Sequence, residues 1–129
     1  MAQELVSKVW QIAGVFGGVT AGLLTYSDGQ VSYLTQEGVV FNVPLAELKN
    51  IKWPFLRMGL GFDTDVKGKK YKFSLAKPNA SAPDISDTMG DQLLKLVHVG
   101  RFWEAVGSFK NLKQDKATTK AWKELLNTA

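Results

Sequence analysis

Apolar and polar residues alternate with a period of two through the first part of the chain. Between Val19 and Ala76 this pattern predicts about six short strands, separated by turn signals such as Asp28-Gly29 and Lys67-Gly68. An Asp-Gly pair between two alternating runs is a strong hairpin signal. Many short strands at hairpin spacing are typical of a small antiparallel β-barrel or sandwich.

The last of these runs shows the alternation most clearly. Tyr71, Phe73 and Leu75 are expected to face the core, while Lys70 and Lys72 face outward. Single-stranded nucleic acids are bound through outward aromatic side chains that stack on the bases. Because these aromatic residues are predicted to point inward, nucleic acid is not an expected partner.

The period changes to 3.6 residues after a loop rich in proline and serine, residues 77–88. It predicts one amphipathic helix over about 86–112, bent near Gly100, and a terminal helix over about 115–127. A short helix is also predicted from Gln3 to about Ile12. The expected architecture is a single domain, 1–129, mainly β with C-terminal α, in which helix 86–112 plugs the open corner of a bent sheet.

The residue composition excludes several classes of catalytic and metal-binding site. The chain has 129 residues, no cysteine and one histidine, which excludes disulfides, thiolate zinc sites and a cysteine nucleophile. It contains no phosphate-binding loop, no G-x-S-x-G and no H-E-x-x-H. We therefore expect no catalytic residue, no metal site and no cofactor, and a function other than that of an enzyme.

One apolar stretch raises the question of a membrane segment. It runs from Val9 to Leu24, which is 16 residues, whereas a spanning helix needs about 20. Lys8 stands directly upstream, and Glu4 precedes it where an export signal would carry positive charge. An integral membrane protein is not expected; the expected location is the cytoplasm, with peripheral membrane attachment left open.

Positive charge is concentrated in the middle of the chain. The formal net charge is +4, and residues 49–77 alone carry +6. Such a block can attract anions, including acidic lipid surfaces. Lysines also serve as solvated outward positions that keep sheet edges from aggregating, which is the alternative interpretation. The candidate anion- or lipid-binding residues are Lys49, Lys52, Arg57, Lys67, Lys69, Lys70 and Lys72.

A second candidate feature is the Trp53-Pro54-Phe55 segment. Two aromatic residues flanking a proline at a strand end can form an exposed ridge that binds a partner or enters a lipid interface. Equally, such residues close the end of a barrel. The sequence predicts either an exposed aromatic ridge made of Trp53 and Phe55 or a barrel end.

Several short motifs resemble those of GRAM and bacterial pleckstrin-homology-like domains. The first strand resembles a G-x-L-x-T pattern in a shifted register, a later turn resembles F-x-[IV]-P-L-x-[ED]-[IL], and a hairpin resembles G-K-x-Y-x-F. The resemblance covers about residues 19–76. The matching residues are Gly22, Leu24, Tyr26, Phe41, Val43, Pro44, Leu45, Glu47, Leu48, Gly68, Lys69, Tyr71 and Phe73.

This resemblance implies a pleckstrin-homology-like barrel with a C-terminal helix, to which the last helix is an addition. It implies no catalytic residue, because the superfold hosts lipid-binding, peptide-binding and structural roles. Phosphoinositide-binding members usually keep a basic cluster in the first hairpin loop. Here that loop, Ser27-Asp28-Gly29-Gln30, has neither lysine nor arginine.

The predicted function is a non-catalytic binding or scaffolding domain that engages a protein or peptide partner. A peptide can add along an exposed sheet edge, or it can dock between the sheet and the C-terminal helix. The alternative is peripheral binding to anionic lipid membranes through the basic region 49–77.

Overall fold

The computed structural model describes residues 4–13, 18–54, 60–112 and 116–127. Seven strands and three α-helices account for most of these residues. Two short 3-10 helices, Leu45–Glu47 and Phe109–Asn111, lie in the connections. The strands are β1 (Leu5–Ile12), β2 (Val19–Ser27), β3 (Gln30–Thr35), β4 (Gly38–Pro44), β5 (Lys49–Lys52), β6 (Gly61–Val66) and β7 (Lys69–Ser74), and the helices are α1 (Asp87–Leu94), α2 (Gly100–Val106) and α3 (Lys116–Asn127).

All seven strands belong to one antiparallel sheet with the order β4-β3-β2-β1-β7-β6-β5. Strand β1 joins the two meanders, because it pairs with β2 along its whole length and with β7 near its end. The two end strands, β4 and β5, do not pair with each other among the described residues, so the sheet is not closed. The predicted mainly-β architecture with a C-terminal helix is confirmed at this level.

The predicted helix over residues 3–12 is wrong, because Leu5–Ile12 forms strand β1. Both faces of this strand are covered: Val9 lies in one apolar cluster, whereas Val6 and Trp10 lie in another. A strand that is buried on both faces loses the apolar–polar alternation. Its apolar positions then fall at spacings that imitate a helix.

The region predicted as one helix, 86–112, forms two α-helices and a 3-10 helix, with a turn between the α-helices. Helix α1 is capped by Ser86, whose Oγ accepts a hydrogen bond from the backbone N–H of Met89 at 3.1 Å. Residues 95–99 form a turn in which Val99 is buried, and α2 ends at Gly107, with φ of 77°. Glycine adopts this left-handed conformation without steric cost, which favours a helix end there.

The helices cover opposite faces of the sheet. The α3 face of the sheet carries the larger cluster, which includes Trp122 and Leu126 of α3. The other face, formed by β1–β3, packs against α1, α2 and the second 3-10 helix through Leu93, Leu94 and Phe109. The helical region 86–112 packs against one face of the sheet, and helix α3, expected only as an addition, packs against the other face with the larger cluster.

Strand β1 is hydrogen-bonded to both helical layers. The indole N–H of Trp122 donates to Ser7 Oγ at 2.8 Å, and the indole N–H of Trp10 donates to the Pro83 carbonyl at 2.7 Å. Just before the strand, Glu4 Oε1 accepts from the backbone N–H of Phe102 in the first turn of α2 at 2.8 Å. Negative charge is favourable at a helix N-terminus. These bonds fix both layers to one strand.

Aromatic rings fill the centre of the α3 face. Tyr33 meets Phe73 with ring centroids 4.9 Å apart and an interplanar angle of 70°, an edge-to-face contact. Its hydroxyl donates to Gln11 Oε1 at 2.9 Å. Burial raises the pKa of the Tyr33 hydroxyl far above its usual range, and the neighbouring Tyr71 raises it further. Burial also raises the pKa of Tyr71.

We expect this ring cluster to make the fold sensitive to alkali. The raised pKa means that the folded state favours neutral Tyr33, so its contribution is complete below the unfolded-state pKa of about 10 and is lost as pH rises above that value. Urea unfolding at pH 8 and pH 11 measures the loss. Tyr33→Phe, which removes the titrating group, should show a smaller loss. An identical loss in both proteins would contradict the assignment.

Candidate functional site

Four lysines of strands β5 and β7 lie in two cross-strand rows on the outward side of the sheet. One row contains Lys49, Asp65 and Lys70. The other contains Lys52, Asp63 and Lys72. Directly opposed residues in antiparallel strands point to the same side, so each aspartate lies between two lysines. The rows therefore alternate in charge.

A bulge brings Lys49 and Lys52 to the same side although three positions separate them. The register shifts between these two residues, and Asn50 between them has φ of 54°. The Asn50 side chain donates to Asp65 Oδ2 at 2.8 Å. Asp65 is thus engaged within the β5–β6 pair, and the outward face is a mixed surface with a weaker field than the sequence total suggests.

The β6–β7 hairpin tip carries three exposed lysines, Lys67, Lys69 and Lys70. Lys67 and Gly68 form the two-residue turn with φ of 52° and 82°, as the sequence predicts for this pair. Lys69 follows the turn, and its Nζ lies 5.2 Å from the centre of the Tyr71 ring. Lys70 is exposed on the outward side. The tip is a small cationic projection.

The structure describes some of the remaining predicted site residues and not others. Trp53 is half-buried against the large cluster, with its ring centroid 5.1 Å from that of Phe62 and Lys123 Nζ 5.2 Å above it. Phe55 and Arg57 lie outside the described residues. The structure thus joins Trp53 to the core and to α3, and the proposed Trp53–Phe55 ridge stays a prediction. Tyr71 and Phe73 are buried on the α3 face, as their alternation predicts.

A groove that the sequence did not reveal lies between strand β5 and the end of helix α3. Its volume is about 390 Å³. Leu48 and Leu126 are buried and Ile51 is half-buried, so the floor of the groove is apolar, whereas most of its exposed lining is polar. Ala46 and Asn127 are exposed on its two sides. The complete lining is Ala46, Leu48, Lys49, Asn50, Ile51, Leu126 and Asn127.

Strand β5 gives this groove an open sheet edge. It is the last strand of the sheet and pairs only with β6 among the described strands. Its other edge therefore carries backbone N–H and C=O groups that no described strand occupies. The residues that form the groove come from 46–51 and 126–127, so no local motif could indicate it.

A larger cleft of about 840 Å³ lies where the start of β1 faces α2 and α3. It is lined by apolar residues such as Phe102, Val106 and Leu112, together with Lys110 and Thr118. Leu112 and α3 flank residues 113–115, which are outside the described part of the chain. The cleft carries no functional argument, because those residues adjoin it.

A small polar pocket brings together residue types that occur in hydrolase triads. Its volume is about 130 Å³, and its lining includes Ser27, Asp28, Ser32 and His98. His98 Nε2 lies 3.7 Å from Asp28 Oδ2, with side chains 76% and 65% exposed, and the Ser27 hydroxyl donates to Glu4 at 2.8 Å. A nucleophile needs a base within hydrogen-bond reach and a fixed partner for that base. The described geometry does not supply this arrangement.

The described residues also contain no group of three or more side chains suited to holding a metal ion. None of the described helices combines the length and apolar character required to cross a bilayer. Comparison with known proteins yields no matching family model, curated protein or solved structure. The β5–α3 groove, made of an open strand edge and an apolar floor, is thus the best-supported candidate site.

Proposed function

We propose that this chain is a non-catalytic binding domain of pleckstrin-homology-like fold, which captures a protein partner through an extended peptide. The sheet order β4-β3-β2-β1-β7-β6-β5 and the C-terminal helix packed on its aromatic face support that fold. The resemblance to GRAM and bacterial pleckstrin-homology-like domains implies a barrel with helix 86–112 as its C-terminal helix; in this proposal α3 takes that role. This superfold presents binding surfaces and needs no catalytic group.

The observation that carries the proposal is the open edge of β5 beside a groove that has apolar residues at its base and polar residues along its sides. An extended peptide can add to a free edge through backbone hydrogen bonds and place alternate side chains in the adjoining groove. Ile51 and Leu126 supply apolar contacts for such side chains. Strand β5 has four residues, which corresponds to about 13 Å of extended peptide.

Features of β5 also explain how this edge remains free in the absence of a partner. The strand is short, bulged at Asn50 and bordered by Lys49 and Lys52. Such features discourage pairing between identical edges. A partner peptide has to overcome these features with its own side-chain contacts, which favours selective binding.

Peripheral binding to anionic membranes is the second candidate function. The exposed hairpin tip with Lys67, Lys69 and Lys70 favours it, because each lysine near an acidic surface contributes about 1 kcal/mol. The alternating rows that include Asp63 and Asp65 oppose it, since they place negative charge in the same surface. The groove offers the more specific site.

Filling the groove should abolish peptide binding. Random dodecapeptides displayed on phage are selected against the full chain, and the dissociation constant of the best synthetic peptide is measured by fluorescence anisotropy. Asn127→Trp and Ala46→Trp place bulk in the groove from either side, at exposed positions. We expect at least about tenfold weaker binding, because the apolar floor is then occupied.

The matched control is Gln92→Trp, at an exposed position of α1 on the other face of the sheet. It should bind the peptide as the unaltered protein does. If no peptide is enriched, or if all three variants bind equally well, the groove is not a peptide site. Circular dichroism shows whether each variant keeps its fold.

A further inference from the structure

We propose that the partner segment bound in the β5–α3 groove is acidic, a run of the partner chain rich in aspartate and glutamate. This inference rests on the proposed function and adds the chemical class of the partner. It comes from the distribution of lysines beside the groove, which is separate from the hairpin-tip lysines of the membrane alternative.

Helix α3 carries a stripe of lysines along one flank. Lys116, Lys120 and Lys123 follow one another at spacings of four and three residues, and the same stripe continues to Asn127, which lines the groove. Lys123 lies over the ring of Trp53, directly beyond the end of β5. Asn127 thus lines the groove and Lys123 lies at its end beside Trp53, whereas Lys120 and Lys116 continue the stripe beyond the end of β5.

Helix and strand run in opposite directions along the groove. The end of α3, at Leu126, lies beside Leu48–Ile51, whereas the preceding turn, at Lys123, lies beside Trp53. From Lys116 to Asn127 the helix rises about 16 Å. That length corresponds to about five residues of an extended peptide. A row of cations that continues from the end of a backbone site suits a linear anionic ligand that extends beyond the strand edge.

The strand side of the groove adds less charge. Lys49 and Lys52 are each opposed by an aspartate of β6 across the strand pair. The groove lining itself contains no acidic residue among the described positions. The nearest acids along the chain are Glu47 and Glu124, both exposed. The positive charge available to a ligand thus comes mainly from α3.

The geometry favours an acidic peptide over a membrane surface. A bilayer presents a broad anionic plane and reaches projecting lysines, whereas the open edge of β5 needs backbone groups as partners. A peptide supplies both those backbone groups and carboxylates. Complementary charges of this kind chiefly raise the association rate and select among partners.

The phage selection described above gives the first test. We expect the enriched dodecapeptides to carry net negative charge. The best of them is then compared with its analogue in which every Asp and Glu is replaced by Asn and Gln; we expect the analogue to bind about tenfold more weakly at low salt, with the difference shrinking as salt increases.

Charge-reversal variants show which lysines contribute to peptide binding. The triple variant Lys116→Glu, Lys120→Glu and Lys123→Glu is compared with Lys67→Glu, Lys69→Glu and Lys70→Glu, which changes the net charge equally at the hairpin tip. We expect about tenfold or greater loss of peptide binding in the α3 variant and little change in the other. The corresponding triple Lys→Gln variant repeats the test should the α3 reversal disturb folding.

The outcomes separate the two proposals. Selected peptides without net negative charge, or equal weakening by both triple variants, overturn the acidic-partner inference and leave the peptide groove standing. Failure to select any peptide overturns the proposed function and the inference with it. Cosedimentation with vesicles of about 30% phosphatidylserine that is lost only in the hairpin-tip variant, without peptide selection, replaces both with membrane binding.

Discussion

Replacing Trp122 with alanine is expected to lower the free energy of unfolding by about 3–5 kcal/mol. Trp122 is fully buried among the aromatic residues of the α3 face, and its indole N–H bonds to Ser7 Oγ at 2.8 Å. The truncation removes a large apolar contact, leaves a cavity and orphans the buried serine hydroxyl. Because the total free energy of unfolding of a small domain is about 5–15 kcal/mol, this loss is a large share of it.

Urea unfolding followed by circular dichroism measures this loss. Trp103→Ala is the matched control, because Trp103 is only half-buried and contacts the cluster on the other face. It should cost clearly less. If the two truncations cost the same, α3 would not be the helix that closes the main core, and the groove beside it would lose its structural basis.

Replacing Gly90 with alanine is expected to destabilise the protein by about 1–3 kcal/mol, even though alanine is the better helix former by about 1 kcal/mol. A methyl group at this position of α1 would overlap the Phe109 ring at three of its carbons. Phe109 is fully buried, and its backbone N–H donates to Asp91 Oδ1 at 2.7 Å, so the ring has little freedom to move away. The steric cost therefore exceeds the gain in helix propensity.

Gly100→Ala supplies the comparison for that result. Gly100 begins α2, and a methyl group there would meet only the His98 ring, at an ordinary distance of 3.5 Å. Thermal unfolding should show a lower midpoint for Gly90→Ala and an unchanged or higher midpoint for Gly100→Ala. Loss of stability in the second variant alone would show that the contact between α1 and Phe109 is loose.

Sequence reasoning predicted the strands whose two faces differ in environment. Strand β7 alternates between the buried α3 face and a more polar side, and it follows the Lys67-Gly68 turn, as β3 follows the Asp28-Gly29 turn. Left-handed φ values at these turn residues favour a two-residue hairpin. Local chemistry determines such features, so the sequence displays them directly.

Features that depend on contacts distant in sequence could not be predicted this way. The pattern of β1 reflects two helical layers, one on each face, which only the tertiary structure brings together. The turn at residues 95–99 likewise interrupts an apolar 3.6-residue period that continues on both sides of it. Local patterns show that a residue is buried, but not which face of which sheet covers it.

The candidate site could not be predicted from the sequence for the same reason. The basic block 49–77 was visible as composition, yet the aspartates that alternate with its lysines became apparent only from the strand register. The groove joins residues 46–51 to 126–127, and no spacing rule connects them. The lysine stripe of α3 was visible as an outward helical face, but its position beside an open strand edge was not.

The bond between Ser7 and Trp122 spans 115 positions of the chain. Because β1 is synthesised before β7 and α3, Val9 cannot reach its final environment until α3 has been synthesised. Contacts of such long sequence separation slow folding, and segments that await distant partners are prone to aggregate. A nascent chain halted on the ribosome before residue 116 should therefore remain sensitive to protease, whereas the released chain becomes resistant.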